Sequence, residues 1–304
     1  MTPLRELFGV GALCSALLVA CDASKPGPAG AGSASSARPA ESRASAQPAI
    51  APVQPPKAAE GCRALSVTGD APLEPGALLE GANWLVLPRG ARISVRHGAS
   101  ARELSFEGPG RAVICRDGEE QVLLAAGRIT TSAGPGARPG AEVLIATPFG
   151  LVRYGDATLE VRTAGRKTEV VSRAGEAWLE LAHGASLRGE PKLLPGKKAS
   201  LSGPPAVTPE SSAAACAAAA VTAKDSARAL LDPAGTTAPD AGSLGARAAA
   251  QVRDRRAARY ACAIAAAAIG QLKDPAERDR LGTELERSER VWKAMPRRAE
   301  TGPK

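Results

Sequence analysis

Between Cys62 and Gly203 the chain consists of short apolar runs separated by glycine-containing turns. From Ala157 to Thr163 the odd positions carry alanine, leucine, valine and threonine, and the even positions carry threonine, glutamate and arginine. This period of two indicates a half-buried β-strand, because successive side chains point to opposite faces. Ala177–Leu181 repeats the pattern, and we expect further strands at Trp84–Leu87, Arg92–Arg96, Glu103–Glu107, Ala112–Cys115, Val122–Thr130, Val143–Ala146, Leu151–Tyr154 and Thr168–Ser172.

Dipeptides such as Asp117-Gly118 and Ala164-Gly165 separate these runs. Links this short favour hairpins between neighbouring strands. Many short strands at this spacing predict an all-β domain over residues 61–203, either an antiparallel sandwich or a compact β-roll.

The composition changes after Pro205, and residues 204–304 are predicted to be helical. Pro209–Leu231 and Leu244–Gln271 are rich in alanine, which has the highest helix propensity. A loop from Asp232 to Asp240, containing proline and glycine, separates them. The sequence therefore predicts at least a helical hairpin.

A third helix is expected to begin near Asp274. Aspartate is a favourable N-cap, and Pro275 suits the first helical position. Leu281, Leu285 and Trp292 then fall on one stripe at helical spacing, so we interpret Trp292 as a packing anchor. The C-terminal part is predicted to be a helical hairpin or a three-helix region.

The N-terminal residues 1–20 have the pattern of an export signal. The apolar run Phe8–Ala20 is too short for a ~30 Å hydrocarbon core, which takes about 20 apolar residues, and it fits the apolar region of a secretory signal. Leu18-Val19-Ala20-Cys21 resembles the lipobox of bacterial lipoproteins. That resemblance implies cleavage before Cys21 and lipid on its thiol, which would hold the protein on a membrane.

Residues 21–60 are dominated by alanine, proline, serine and glycine. A segment with so little apolar surface cannot offset the entropy of ordering, so we expect a disordered tether. Its root-mean-square reach would be ~35 Å. About 240 residues remain for one or two folded domains.

Four cysteines remain after Cys14 leaves with the signal and Cys21 is lipidated. They are Cys62, Cys115, Cys216 and Cys262. An even number in an oxidising compartment indicates disulfides, and three pairings are possible. The two-plus-two split between the strand-rich and helical parts favours Cys62–Cys115 and Cys216–Cys262. Zinc is disfavoured, and no metal is expected, because there is no Cys-x-x-Cys and no close Cys–His spacing.

The strand-rich part resembles the FecR domain family. The similarity lies in Thr147-Pro148-Phe149-Gly150-Leu151-Val152, Leu159-Glu160-Val161, Val170-Val171-Ser172-Arg173-Ala174-Gly175-Glu176-Ala177 and Leu194-Pro195-Gly196-Lys197-Lys198, and it extends over about 140 residues. The resemblance implies an extracytoplasmic β domain used for sensing or interaction. Signalling members carry a cytoplasmic anti-sigma segment and a membrane helix before this domain. Here a signal peptide and tether stand in that place, so direct sigma-factor regulation is not implied.

The two histidines lie in a short internal repeat, His97-Gly98-Ala99-Ser100 and His183-Gly184-Ala185-Ser186. They are either two hairpin turns that share a glycine, which we favour, or two equivalent pH- or ligand-sensing turns. No nucleophile–base motif, metalloprotease motif or phosphate-binding loop occurs, so we expect no catalysis and no cofactor.

The positive charge is concentrated near the C-terminus. Arg247 to Lys304 contains 14 basic and 8 acidic residues, a net +6 out of +8 for the chain. This stretch is either a solvated helix face, which we favour, or a contact for anionic envelope polymers or lipid headgroups; nucleic acid is not expected as a partner.

The sequence thus predicts a lipoprotein at the inner or outer membrane, most naturally on the periplasmic face. It would bind or sense an envelope protein or glycan. The alternative is a structural lipoprotein that stabilises an envelope assembly without sensing.

Overall fold

In the computed structural model, residues 61–79, 83–97, 100–116, 121–134, 137, 142–231 and 241–294 are described. All belong to one compact unit, Gln54–Lys304. The predicted signal peptide and the whole predicted tether, including Cys21, lie outside them, as does the predicted loop 232–240. The strands are β1 (Cys62–Thr68), β2 (Leu78–Leu79), β3 (Leu85–Leu87), β4 (Arg92–His97), β5 (Glu103–Ile114), β6 (Gln121–Ser132), β7 (Val143–Thr147), β8 (Gly150–Tyr154), β9 (Thr158–Ala164), β10 (Lys167–Ala174), β11 (Ala177–Leu181), β12 (Ser186–Arg188), β13 (Lys192–Leu193) and β14 (Lys198–Ser202).

The strands form a branched sheet, and β5 and β6 belong to both branches. One branch has the order β12-β14-β10-β9-β6-β5-β4-β1-β2. The other contains β3, β5, β6, β7, β8, β11 and β13. The β5–β6 register shifts between Glu107 and Arg111, where the hairpin passes from one branch to the other. Bulges at such bends allow strands to switch sheets.

An apolar core joins the two branches. It includes Ile93 and Phe106 from the first branch and Val122 and Ile145 from the second, all with 0% exposure. Every strand pair is antiparallel except β6–β7, which is parallel. The predicted all-β domain followed by helices is confirmed, and its form is a two-layered sandwich. The two strands predicted at Glu103–Glu107 and Ala112–Cys115 are wrong as separate elements, because β5 runs through the bend between them.

Three helices follow the strands: α1 (Pro209–Leu231), α2 (Ala241–Ile269) and α3 (Pro275–Lys293). Helix α2 packs on the outer face of the second branch, and α1 and α3 pack mainly against α2 and each other. A second apolar cluster contains Leu144 and Leu151 from the strands together with residues of all three helices. β7 is therefore covered on both faces, which explains its continuous burial. None of these three helices combines the length and the hydropathy that a membrane-spanning helix requires.

Small residues set the distance between α1 and α2. The buried apolar positions of α1 recur at intervals of three and four residues: Ala213, Cys216, Ala220, Ala223 and Ala227. In α2 every residue from Cys262 to Ile269 is buried, so this end of the helix lies between its neighbours and the sheet. Alanine on both helices allows the close approach that a cystine between them needs.

The predicted start of α3 is confirmed. The Asp274 carboxylate accepts a hydrogen bond from the Ala276 backbone N–H at 3.0 Å, and Pro275 begins the helix. Trp292 is 8% exposed and packs in the helix–sheet cluster, as expected for a packing anchor.

Two glycines of the helical region should respond to alanine in opposite directions. A Cβ at Gly270, just after α2, would overlap the indole ring of Trp84, whereas a Cβ at Gly282 inside α3 meets nothing within 4 Å. We expect Gly270→Ala to lower the free energy of unfolding by about 1–3 kcal/mol through overpacking. Gly282→Ala should raise it by about 0.5–1 kcal/mol through helix propensity. Urea unfolding of both variants measures the difference, and equal shifts would contradict the packing of Trp84 on Gly270.

Candidate functional site

A pocket of about 230 Å³ opens where β8 and β11 meet α1 and α2; we call it the junction pocket. Its floor is apolar, formed by Leu151, Ala215, Ala261 and Ile264. Its rim is mixed, with Glu180, Leu181, His183, Ser211, Ala257 and Tyr260. An apolar cavity with a few polar groups at its edge is the usual form of a binding site in proteins.

Arg153 on β8 contacts two of the residues that line the junction pocket, Glu180 and Tyr260. Its guanidinium lies 2.9 Å from a carboxylate oxygen of Glu142 and 2.8 Å from one of Glu180. It also lies over the Tyr260 ring, 6.0 Å from the centroid. Burial, and then the Glu142 carboxylate, raise the pKa of the Tyr260 phenol. Tyr260 therefore keeps its hydroxyl proton at neutral pH and can donate a hydrogen bond.

β11 carries two exposed apolar side chains, one on each face of the strand. Trp178 is 40% exposed and Leu181 is 43% exposed. Trp178 and Glu180 are two positions apart, so they share a face of the strand about 7 Å apart. Trp178 pairs across the sheet with Arg153, and Lys192 lies over its ring, 5.6 Å from the centroid. The junction pocket and this strand face form one mixed surface.

His183 and two serines line the same pocket without forming a nucleophile–base pair. The hydroxyls of Ser211 and Ser212 both donate to the Thr208 carbonyl, at 2.9 and 3.0 Å. Within the described part of the chain, no hydrogen bond joins either serine to His183. This arrangement offers polar contacts to a ligand rather than an activated hydroxyl.

The two histidines are in different environments, so the hypothesis of two equivalent sensing turns is wrong. His183 is exposed, at a turn where Gly184 has φ of 77°. His97 ends β4 and is only 2% exposed. Its Nδ1 lies 3.7 Å from the Cys115 sulfur.

The cysteines lie in the pairs favoured by the sequence. Cys62 and Cys115 have Cα atoms 6.1 Å apart, and those of Cys216 and Cys262 are 4.5 Å apart. Both separations are within the range for disulfides. All four residues are buried. We predict that chemical mapping will find these two pairs as disulfides. Lipidation of Cys21 also stays a prediction.

Burial, followed by the positive charge of Arg102, lowers the pKa of His97 from 6.5 to about 4. In the unfolded chain the same imidazole binds its proton near pH 6.5. Between pH 6.5 and about 4 the unfolded state therefore binds more protons, and the free energy of unfolding rises with pH. The contribution of His97 is complete above pH 6.5 and is lost as the pH falls.

We expect acidification across this window to lower the free energy of unfolding by about 3 kcal/mol, at about 1.36 kcal/mol per pKa unit. Denaturant unfolding at a series of pH values measures the slope. His97→Gln should remove most of it, and His183→Gln, at an exposed position, should leave it unchanged. The same slope in wild type and His97→Gln would show that His97 is not responsible.

The chain matches no known protein-family model and no curated protein. Two solved structures from Parabacteroides distasonis, both provisionally described as anti-sigma factors, are similar to part of it. The first has 12% identity and a TM-score of 0.32, and the similar region covers 39% of this chain and 54% of that one. The second has 13% identity and a TM-score of 0.23, and covers 39% and 49%. The chain thus spans about half the length of each, and at these TM-scores the similarity carries no argument about function.

Sequence reasoning did not find Arg153, Trp178 or Tyr260 as candidate binding residues. One signal was present in Trp178, which occupies the polar face of the strand predicted at Ala177–Leu181. An aromatic side chain on such a face is a sign of an interaction surface. Arg153 and Tyr260 gave no local signal, because one lies on a strand and the other on a helix that only the fold brings together.

Proposed function

We propose that this chain is a lipid-anchored, extracytoplasmic, non-catalytic module that binds another envelope protein through the junction pocket and the exposed face of β11. The observation that carries the proposal is the surface that runs from Trp178 through Glu180 to the junction pocket, which Leu181 also lines. A glycan ligand, or a structural role without recognition, are the alternatives.

The residue types at this surface favour a protein partner. Tryptophan, tyrosine and arginine supply most of the binding energy at protein interfaces, and Trp178, Tyr260 and Arg153 lie together here. The apolar floor can accept one aliphatic or aromatic side chain, and the rim can hydrogen-bond to the backbone beside it. A partner segment with an exposed apolar residue fits this arrangement.

The N-terminal sequence and the cysteines support the location. Two buried cysteine pairs at disulfide distance are typical of an oxidising compartment. The lipobox-like segment ending at Cys21 and the tether that follows would hold the module near the membrane. Tethering raises its effective concentration toward other envelope proteins without any further contact.

Photo-crosslinking in cells that produce the protein tests the proposal. A photoreactive residue at Leu181 should yield a discrete protein adduct, whereas one at Val221, which is 55% exposed on α1, should not. Ala257→Phe places a ring over the pocket rim and should reduce the adduct at least about tenfold, equivalent to 1.4 kcal/mol of binding. Ala249→Phe, at an exposed alanine two turns earlier on α2, is the matched control.

Each other result counts against the proposal. Equal adducts from Leu181 and Val221 would indicate nonspecific contact. An adduct unaffected by Ala257→Phe would favour a structural role elsewhere on the molecule. Retention on purified envelope glycan, without a protein adduct, would favour the glycan alternative.

A further inference from the structure

Three buried side chains with metal-binding chemistry converge at one end of the first branch. Cys62 begins β1, His97 ends β4, and the two residues are cross-strand partners. Cys115 follows the last residue of β5. The two sulfurs and one imidazole nitrogen all lie within 4.8 Å of one another. No other group of three histidine, cysteine or acidic side chains approaches this closely in the part of the chain that the structure describes.

The separation between the imidazole nitrogen and one sulfur suits a zinc ion. Zn–S bonds of ~2.3 Å and Zn–N bonds of ~2.0–2.1 Å in a tetrahedron place neighbouring ligand atoms about 3.5–3.8 Å apart. His97 Nδ1 and Cys115 Sγ are 3.7 Å apart. Two thiolates and a neutral imidazole would also cancel the charge of a divalent ion, which a buried site requires. A monovalent ion such as Cu⁺ would leave one uncompensated negative charge.

Two residues at or near the cluster have backbone conformations that are unusual for residues other than glycine. Cys115 has φ of 61° and Ala101 has φ of 55°, and these are the only non-glycine residues with positive φ among those described. Ala101 belongs to the turn after His97, where its N–H donates to the His97 carbonyl at 2.8 Å. Residues held in this region cost energy and concentrate at functional sites.

The imidazole of His97 has unused hydrogen-bonding capacity. His97 Nε2 is buried and has no hydrogen-bond partner among the described residues. A buried polar nitrogen without a partner is uncommon and suggests that the ring has a role other than packing. Arg102, the nearest cation that acts on His97, is itself paired with Asp156 at 2.8 Å.

We propose that Cys62, His97 and Cys115 form a zinc site when the two cysteines are reduced. Opening the cystine takes two electrons and two protons from a dithiol, which is itself oxidised to a disulfide. Zinc binding then releases the two thiol protons to solvent and forms two Zn–S bonds and one Zn–N bond. The disulfide and the zinc site are therefore mutually exclusive states of the same residues.

The second cysteine pair is the matched control. Cys216 and Cys262 lie between two helices, and their surroundings are mostly alanine. The described residues place no histidine or acidic side chain with this pair to complete a cluster. Reduction there should produce two thiols and no zinc site.

Cobalt substitution tests the proposal on the full chain, with Cys14 and Cys21 replaced by serine in every variant. The reduced protein should bind one Co²⁺ with an intense thiolate-to-metal absorption, and Zn²⁺ should displace it. Cys62→Ser/Cys115→Ser should abolish the signal, and Cys216→Ser/Cys262→Ser should retain it. His97→Gln should weaken Zn²⁺ binding at least about tenfold and change the absorption spectrum. Zn²⁺ should also slow reoxidation of Cys62 and Cys115, but not of Cys216 and Cys262.

Circular dichroism on the same samples shows whether the reduced chain is folded. If the reduced chain loses its fold, Zn²⁺ must restore it, and a chain that stays unfolded with Zn²⁺ refutes the proposal. Absence of the cobalt absorption, or the same absorption in the Cys62→Ser/Cys115→Ser variant, refutes it as well. Binding of Cu⁺ without Zn²⁺ or Co²⁺ would overturn the assignment to zinc, and an unchanged spectrum in His97→Gln would remove the histidine from the site.

Discussion

Replacing Cys216 and Cys262 with serine is expected to lower the free energy of unfolding by about 3–4 kcal/mol. The two positions are 46 residues apart in sequence, and cross-linking a loop of this length removes a large part of the conformational entropy of the unfolded chain. The neighbouring helix surfaces are mostly alanine, so each residue buries little apolar area and other contacts compensate poorly. Urea unfolding of the oxidised protein and of the double variant measures the difference.

A second double variant separates the cross-link from packing. Cys216→Ala/Cys262→Ala removes the bond and introduces no hydroxyl into the buried site. If the cross-link dominates, both variants lose similar stability, and a reductant lowers the stability of wild type by more than that of either variant, which keeps only the Cys62–Cys115 pair. A loss below about 1 kcal/mol in the alanine variant would show that these cysteines contribute by packing only.

Glu289→Ala should have an effect of similar size, about 3–5 kcal/mol. Glu289 lies on α3 with its side chain only 7% exposed, 2.6 Å from Arg116 at the end of β5 and 3.0 Å from Lys293. Arg116 is also mostly buried, so removing the carboxylate leaves a desolvated guanidinium without its counterion. Because the pair joins α3 to the sandwich, the variant should also loosen the helix, which amide hydrogen exchange would detect.

Two neighbouring substitutions provide the controls. Glu286→Ala, at an exposed position one turn earlier on α3, should change stability by no more than about 0.5 kcal/mol. Lys293→Ala should cost less than about 1 kcal/mol, since this partner is 40% exposed. If all three variants lose the same stability, helix propensity rather than the buried ion pair is responsible.

Elements defined by local sequence were predicted well. The bounds predicted for α1 agree with the structure, and the Asp274 cap was identified, because alanine content and capping residues act within a single turn. The centres of most strands were also found from their alternation. β1 and β14 were not predicted. The short strands β2, β12 and β13 were not predicted either, since two or three residues are too few to show a period.

Features that depend on long-range pairing could not be predicted in the same way. The convergence of His97 with Cys62 depends on the β1–β4 register, which joins residues far apart in the sequence. Spacing along the chain disfavours zinc, but it does not show that the fold brings Cys62, His97 and Cys115 together. The junction pocket depends in the same way on how α2 lies across β8 and β11, which nothing in those segments specifies.

The position of Cys62 has a mechanical consequence. Cys62 is the first residue of β1, so a force applied to the chain from its N-terminal side enters the sandwich at this residue. A cystine to Cys115 would carry that load directly to the end of β5, a strand shared by both branches of the sheet. The hydrogen bonds between β1 and β4 would then not break one after another under the load. Opening the cystine would expose β1 to that load.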